Sequence, residues 1–308
     1  MNFEWNEEQR LWQQTVRDFA QTEIAPRVRE IDAQERIPRD IVHGMGRLGL
    51  LGPLTPEEYG GAAMDWTLAT IAAEELGRAD ISLAVPVLYL VEAAWGSVFD
   101  RYGAPELKAE LLPRVVAGDA FLGIATTEPG GGSDILGACQ TRAERDGDEW
   151  VINGEKVFIS GVRESLEMGG IHLLLARTDR DPDAGHRAFS FFALPLKGTP
   201  GITPTYFDDM GRMGISTGGF ALDNVRLPAN HLVGEVNRGF YHAMEGFSAA
   251  RVLIGASCIG AAEKVLEMGM EHVKARQAFG RPLATYEGIS FPLADHYANL
   301  ESTRLLSY

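Results

Sequence analysis

Apolar residues recur at roughly helical spacing from the start of the chain, with Leu11, Val16, Phe19 and Ile24 marking the first stretch. The same period continues to about residue 118 and predicts an all-helical opening unit. Its punctuation agrees. Pro38-Arg39-Asp40 opens a short helix, and Pro53 to Gly61 reads as a loop. Asp65 is placed to cap a helix running through Ala79, and Ser82 to cap the next. Pro105 suits the first turn of a helix that ends at Gly118. From about Phe121 to Leu232 the period changes to short β-rich runs separated by turn residues. Asp146-Gly147 and Asn153-Gly154 flank Trp150-Val151-Ile152 in a hairpin pattern, and Ile171–Leu175, Ala188–Leu194 and Gly218–Leu222 give further strands. With no helical stretch between them, these runs predict an antiparallel barrel or sandwich.

Beyond Gly239 the helical period returns. One helix is expected from Phe240 to about Ala275, a break at Phe279-Gly280-Arg281-Pro282, and a second helix from near Tyr286 that is unfinished at Tyr308. Two antiparallel helices leave apolar faces that ordinarily need more helices. The expectation is therefore of missing C-terminal sequence or of a partner that fills the gap. The fold class read from these patterns is α+β with several domains: an N-terminal α-helical domain over 1–120, a middle β-domain over 121–234, and a truncated helical-bundle domain over 235–308.

A formal net charge of −15 argues against nucleic acid as a partner, since phosphate neutralisation needs a Lys/Arg surface. Cys139 and Cys258 stand far apart, which fits a reducing cytoplasm better than a disulfide framework. Met1-Asn2-Phe3-Glu4-Trp5-Asn6-Glu7-Glu8 is polar and acidic, unlike a signal peptide. The most apolar run, Ile81 to Phe99, contains Glu92 and reads as a buried helix, with no membrane insertion expected. The histidines are scattered without metal-ligand spacing. Gly44-Met45-Gly46-Arg47-Leu48-Gly49 matches GxGxxG in letters only. A helical run precedes it and a loop follows, so close packing of a short helix is the better reading.

The chemistry lies in two segments. Thr126-Thr127-Glu128-Pro129-Gly130-Gly131-Gly132-Ser133-Asp134 is a strand leading into a Gly-rich loop, which lets backbone amides approach a ligand with hydroxyls alongside. Val157-Phe158-Ile159-Ser160-Gly161 offers an aromatic face beside a hydroxyl, suited to a flat heterocycle. Taken alone, the first could be a tight turn and the second a core strand. Together and in this order they resemble the flavin-binding signature of the acyl-CoA dehydrogenases. The resemblance extends to Pro56-Glu57-Glu58-Tyr59-Gly60-Gly61, to Leu227-Pro228-Ala229-Asn230-His231-Leu232-Val233-Gly234, and to Arg276-Gln277-Ala278-Phe279-Gly280-Arg281-Pro282.

That resemblance implies an FAD-dependent desaturation of an acyl-CoA thioester. A proton leaves the α-carbon and a hydride passes from the β-carbon to the flavin. Ile124, Thr126, Thr127, Ser133, Phe158, Ile159 and Ser160 fall at cofactor-binding positions, Phe158 standing for a frequent Trp and Ser160 for a Thr. Arg276, Phe279, Tyr286 and Glu287 match positions that hold the FAD of a neighbouring subunit; Glu287 replaces the usual Gln. Ser133, Phe247, Ser248 and Arg251 match substrate-binding positions, Ser248 in place of a frequent Asp. The usual catalytic Glu of the family lies beyond Tyr308, and a second family position for it, just before Arg251, is Ala250. The remaining candidate base is Glu92, a carboxylate in an apolar run on a helix that by resemblance borders the acyl pocket. Implied partners are the acyl-CoA, an electron-transfer flavoprotein as acceptor, and further copies of the chain as a dimer of dimers. A flavin oxidase or monooxygenase on the same fold, or a non-catalytic flavin or acyl-CoA binding protein, are the alternatives.

Overall fold

A computed structural model describes residues 4–308; Met1-Asn2-Phe3, the start of the acidic N-terminal run, lie outside the described residues. α1 (Glu7–Phe19) opens on a reciprocal cap in which Asn6 accepts from the Gln9 amide and Gln9 accepts from that of Asn6. A π-helical turn and a 3-10 turn then lead into α2 (Val28–Gln34) and α3 (Arg39–Arg47). In α3 the misleading glycines are packing residues. A Cβ on Gly46 would stand 2.7 Å from the Val116 carbonyl oxygen, and one on Gly44 2.8 Å from the Phe19 ring.

α4 (Trp66–Ala79) is capped as expected, Asp65 accepting from the Leu68 amide at 2.8 Å. α5 (Ala84–Tyr102) is not capped by Ser82. The buried Asp80 takes that role, accepting from the Ser82 amide, the Ser82 hydroxyl and the Val85 amide. A carboxylate has two oxygens to share among three donors, which one hydroxyl cannot match. α6 (Pro105–Ala117) starts at its proline and stops at left-handed Gly118, as the sequence predicts.

The middle of the chain holds β1 (Phe121–Ala125), α7 (Ile135–Ala138), β2 (Arg142–Asp146), β3 (Glu149–Ser160), α8 (Val162–Met168), β4 (Gly170–Arg177), β5 (Phe189–Leu194), β6 (Ile202–Phe207), β7 (Thr217–Pro228) and β8 (Leu232–Val233). They form one sheet in the order β6-β7-β3-β2-β4-β5-β8, with β1 attached to β4. The expected antiparallel barrel or sandwich is corrected on two counts. The hydrogen-bonded path does not close, and β1 pairs with β4 in parallel. Parallel pairing needs a long crossover, here α7, β2, β3 and α8, and local alternation carries no trace of it. The sheet still curls far enough for Trp150 of β3 to meet Phe192 of β5, ring centroids 5.2 Å apart. Alternate residues of β4 and β5 thus serve two cores: Leu173, Leu175 and Phe191 face the helices, while Leu174, Ala176 and Phe192 face the inside of the curl. Burial on both faces explains why these strands read as continuous apolar runs.

Asp146-Gly147 makes the expected β2–β3 turn, but Asn153-Gly154 does not end a strand. β3 continues through it, and the register with β7 shifts between Ile152 and Gly154. Beyond the sheet run α9 (Gly239–Ala275), a hairpin of β9 (Gln277–Ala278) and β10 (Arg281–Pro282), and α10 (Glu287–Ser307). α9 lies against α4 through two glycines. A Cβ on Gly77 would stand 2.0 Å from the Ser257 oxygen, and one on Gly260 1.9 Å from the Glu74 oxygen. No described helix is long and apolar enough to cross a membrane.

Candidate active site

β1 and β3 end side by side, and α5 and α9 stand across from them. Between them lies a cleft of about 270 Å³. Ile124, Thr126, Thr127 and Gly132 line it from β1 and the loop that follows, and Phe158, Ile159 and Ser160 from β3. Val91 and Phe247 close the helical side, Phe247 braced edge-on by Trp95 at 5.1 Å. The structure thus gathers six of the expected cofactor residues and one expected substrate residue in one place.

The aromatic wall is created by a backbone irregularity. The β3–β7 register shifts again between Lys156 and Ile159, and Phe158 within that shift takes a left-handed φ of 57°. For a bulky residue this conformation costs about 1–3 kcal/mol. It turns the Phe158 ring outward, where 68% of the residue is exposed and the ring meets Phe207 at 5.3 Å.

The Gly-rich loop is held to β3 from beneath. Lys156, fully buried, donates to Glu128 Oε1 at 2.7 Å and to the Thr126 carbonyl at 3.2 Å. Glu128 also accepts from the Gln140 and Thr141 amides and from the Cys139 thiol. Burial works to raise the Glu128 carboxyl, but the Lys156 ammonium and these donors outweigh it and hold it below the usual carboxylate range. Burial pushes the Cys139 thiol up to about 11, so it stays a donor. The Val157 amide adds a bond to the Thr127 carbonyl at 3.0 Å. Glu128 stands in the Gly-rich segment and Lys156 just before the Phe158 segment, and nothing in their spacing shows that they pair. A lysine in a strand directly before the apolar Val157-Phe158-Ile159 run was the available signal.

Two further residues escaped notice. Arg212, in the β6–β7 loop, donates to the Ser160 hydroxyl at 3.2 Å and to the Thr217 hydroxyl at 2.6 Å. His172, fully buried on β4, is hydrogen-bonded through Nε2 to the Ser160 carbonyl at 3.2 Å. Burial pushes its imidazole down to about 4, so it is neutral and donates that bond.

Glu92 is not brought into the cleft. Its Oε1 accepts from the Leu122 amide at 3.2 Å, its Oε2 is buried without a partner, and it lines a separate cavity with Leu88, Ile37, Val42 and Ile215. Val91, the residue before it on α5, takes the cleft-facing position. One residue along a helix turns the side chain by about 100°, which sets Glu92 off the cleft lining. Burial raises the Glu92 carboxyl well above its ordinary value, with the Leu122 amide opposing. The folded protein then keeps a proton that the unfolded chain releases above the normal carboxylate range. Stability falls as pH rises from there until the folded group itself ionises. Glu92→Gln removes that dependence, because an amide has no proton to lose in this range. Urea unfolding is expected to show the variant more stable than wild type near about pH 8 and equal to it near about pH 4. Flavin binding and turnover are expected to be retained; turnover lost with flavin still bound would restore Glu92 as the base.

The remaining predicted residues lie elsewhere. Ser133 is exposed on the loop outside the cleft lining. Ser248 and Arg251 follow Phe247 on α9, the Arg251 guanidinium donating to the Ser248 hydroxyl at 3.4 Å. Arg276, Phe279, Tyr286 and Glu287 form a second cluster around the β9–β10 hairpin. Tyr286 donates to the Ala278 carbonyl at 2.7 Å, Arg281 lies over the Tyr286 ring, and Phe279 is 97% exposed.

Three family models match the chain in order: the acyl-CoA dehydrogenase N-terminal domain over residues 6–119, the middle domain over 123–225, and the C-terminal domain over 237–308. The chain belongs to the acyl-CoA dehydrogenase family. It is 37% identical over 305 residues to cyclohex-1-ene-1-carbonyl-CoA dehydrogenase of Syntrophus aciditrophicus, covering 98% of this chain and 71% of that one. It superposes on butyryl-CoA dehydrogenase from Megasphaera elsdenii with a TM-score of 0.89 at 29% identity, over 100% of this chain and 79% of that one. A glutaryl-CoA dehydrogenase from Mycobacterium smegmatis, solved with FADH2, gives 0.87 at 30% identity, over 98% and 75%.

Acyl-CoA dehydrogenases are FAD enzymes, and the cleft residues fit that cofactor. The Thr126 and Thr127 hydroxyls have no hydrogen-bond partner among the described residues, and the Ser160 hydroxyl accepts from Arg212 but donates to none of them. An exposed aromatic ring beside unspent hydroxyls and a glycine-lined approach is what a planar, polar-edged ring system requires.

Proposed function

We propose that FAD and an acyl-CoA thioester meet in this cleft, where the acyl group undergoes α,β-dehydrogenation, its α-proton passing to a general base that is not among the described residues lining the cleft. The observation that carries the reading is that Thr126, Thr127, Ser160 and Phe158 line one cleft together. The bound flavin supplies the hydride acceptor. Thr126, Thr127 and Ser160 hold its polar edge, and Phe158 covers it. Val91, Ile124, Ile135 and Phe247 give the cleft apolar walls that exclude water from the reacting carbons. Phe247, Ser248 and Arg251 present the thioester-binding side of α9. The exposed Arg276, Phe279 and Glu287, with the half-buried Tyr286, serve the FAD of a neighbouring protomer in a homo-oligomer, a dimer of dimers. The Arg276 fork, unpaired among the described residues, suits a pyrophosphate. Electrons pass on to an electron-transfer flavoprotein, and the protein works in the cytoplasm.

Anaerobic titration tests this. The protein is expected to turn yellow with one FAD per chain, and a panel of straight, branched and cyclic acyl-CoAs is expected to contain one that bleaches the flavin band. Rapid recovery of the colour in air without a flavoprotein acceptor would favour an oxidase. A folded sample that stays colourless with FAD would overturn the proposal.

A further inference from the structure

We propose that Arg212 is a positioning residue: it fixes the Ser160 hydroxyl as a donor into the cleft and sets a positive charge behind it, favouring the electron-rich state of the bound flavin. This rests on the FAD reading above. Ser160 and Thr217 are direct partners in the β3–β7 ladder, and one guanidinium donates to both hydroxyl oxygens. A guanidinium has no acceptor, so each hydroxyl must accept and keeps its own proton for another partner. None of the described residues takes the Ser160 proton, and Ser160 lines the cleft.

The charge is also poorly neutralised. Among the described residues no carboxylate lies within ion-pair distance of Arg212. Burial lowers its proton affinity, and Asp209 and Glu164 oppose that only at longer range. A half-buried, locally uncompensated cation projects its field further than a surface one. The chain also strains to place it, since Arg212 takes a left-handed φ of 58°. Joining β3 to β7 does not call for this device, because Ser160 and Thr217 are already paired through the backbone.

Dye-equilibrated reduction of the FAD-loaded 308-residue chain tests the proposal. Arg212→Gln is expected to bind FAD stoichiometrically while its equilibrium constant for reduction falls about tenfold, close to 30 mV for a two-electron couple. Arg212→Lys, which keeps the charge, is expected to recover most of that shift. In a Ser160→Ala background the effect of Arg212→Gln is expected to shrink to less than half, because the two residues act as one unit. A wild-type potential in Arg212→Gln, or an equal shift with and without Ser160, would overturn the inference. If Arg212→Gln does not fold, Ser160→Ala decides: a lowered potential supports the inference and an unchanged one sinks it. Wild-type protein that takes up no FAD would overturn the proposed function as well, which separates the two failures.

Discussion

Lys156→Met is expected to lower the unfolding free energy by about 3–5 kcal/mol, the range for removing one partner of a buried ion pair. The pair spans the two halves of the cleft: Glu128 belongs to the Gly-rich loop, Lys156 to β3, and both are almost completely shielded from water. Without the ammonium, Glu128 is left as a buried carboxylate with only the Gln140 and Thr141 amides and the Cys139 thiol for company. Its carboxyl, now held below the usual range, would be pushed up by burial. The wild-type pair contributes above the ordinary carboxylate range and fades as pH falls, so the deficit of the variant narrows in acid. The Thr126 carbonyl also loses its Lys156 donor, and FAD affinity is expected to fall at least about tenfold, equivalent to 1.4 kcal/mol. Urea unfolding and FAD titration check the two effects. Arg226→Met, which breaks exposed pairs with Asp146 and Glu149, serves as the control and is expected to leave both scarcely changed. Equal behaviour of the two variants would show that the buried pair is not what holds the loop.

Gly260→Ala is the second large effect, expected to cost about 3 kcal/mol, at the upper end for overpacking. The added methyl would stand 1.9 Å from the Glu74 carbonyl oxygen and 2.8 Å from the Arg78 nitrogen, both backbone atoms of α4. Gly77 makes the reverse approach to α9, so neither helix can yield by turning a side chain. The helices must part, and the Glu74 carboxylate goes with them. It is bonded to Arg304 at 2.7 Å and to the Tyr308 hydroxyl at 2.8 Å, tying α10 to the same crossing. Phe247 rides on α9, so the cleft should widen and FAD affinity fall alongside stability. Gly269→Ala on the same helix meets nothing within 4 Å and is expected to be neutral or stabilising by about 0.5–1 kcal/mol. A thermal melt of both variants tests the contrast. Similar melting temperatures would mean that the crossing tolerates separation.

Features governed by neighbours along the chain were legible. Asp65, Pro105 and Gly118 bound their helices as read, Asp146-Gly147 turns a hairpin, and the rejected GxGxxG of α3 is a packing surface. Features governed by distant partners were not. Asn153-Gly154 looks like a turn, but β7 supplies a ladder that carries β3 past it as a bulge. Ser82 looks like a cap until Asp80 folds back on it. Parallel pairing of β1 with β4 has no local pattern. In the candidate site, Thr126, Thr127, Phe158 and Ser160 were reached through their motifs. Arg212 was not, because its importance comes from a loop folding back onto the end of β3. Glu92 stands out in the sequence as a carboxyl costly to bury, but cost does not tell which side of a helix the group occupies.

The length of α9 carries a consequence for assembly. Phe247 stands in its third turn and Arg276 just past its C-terminal end, about 43 Å apart along the axis at 1.5 Å per residue. That is farther than one dinucleotide stretches, so under the proposed reading no protomer can grip a cofactor with both of its own ends. Under that same proposal each copy would hold the ring of its own flavin and reach the tail of another's. Colour and quaternary structure are then one property, and diluting the assembly into single chains loosens the pigment before any helix melts.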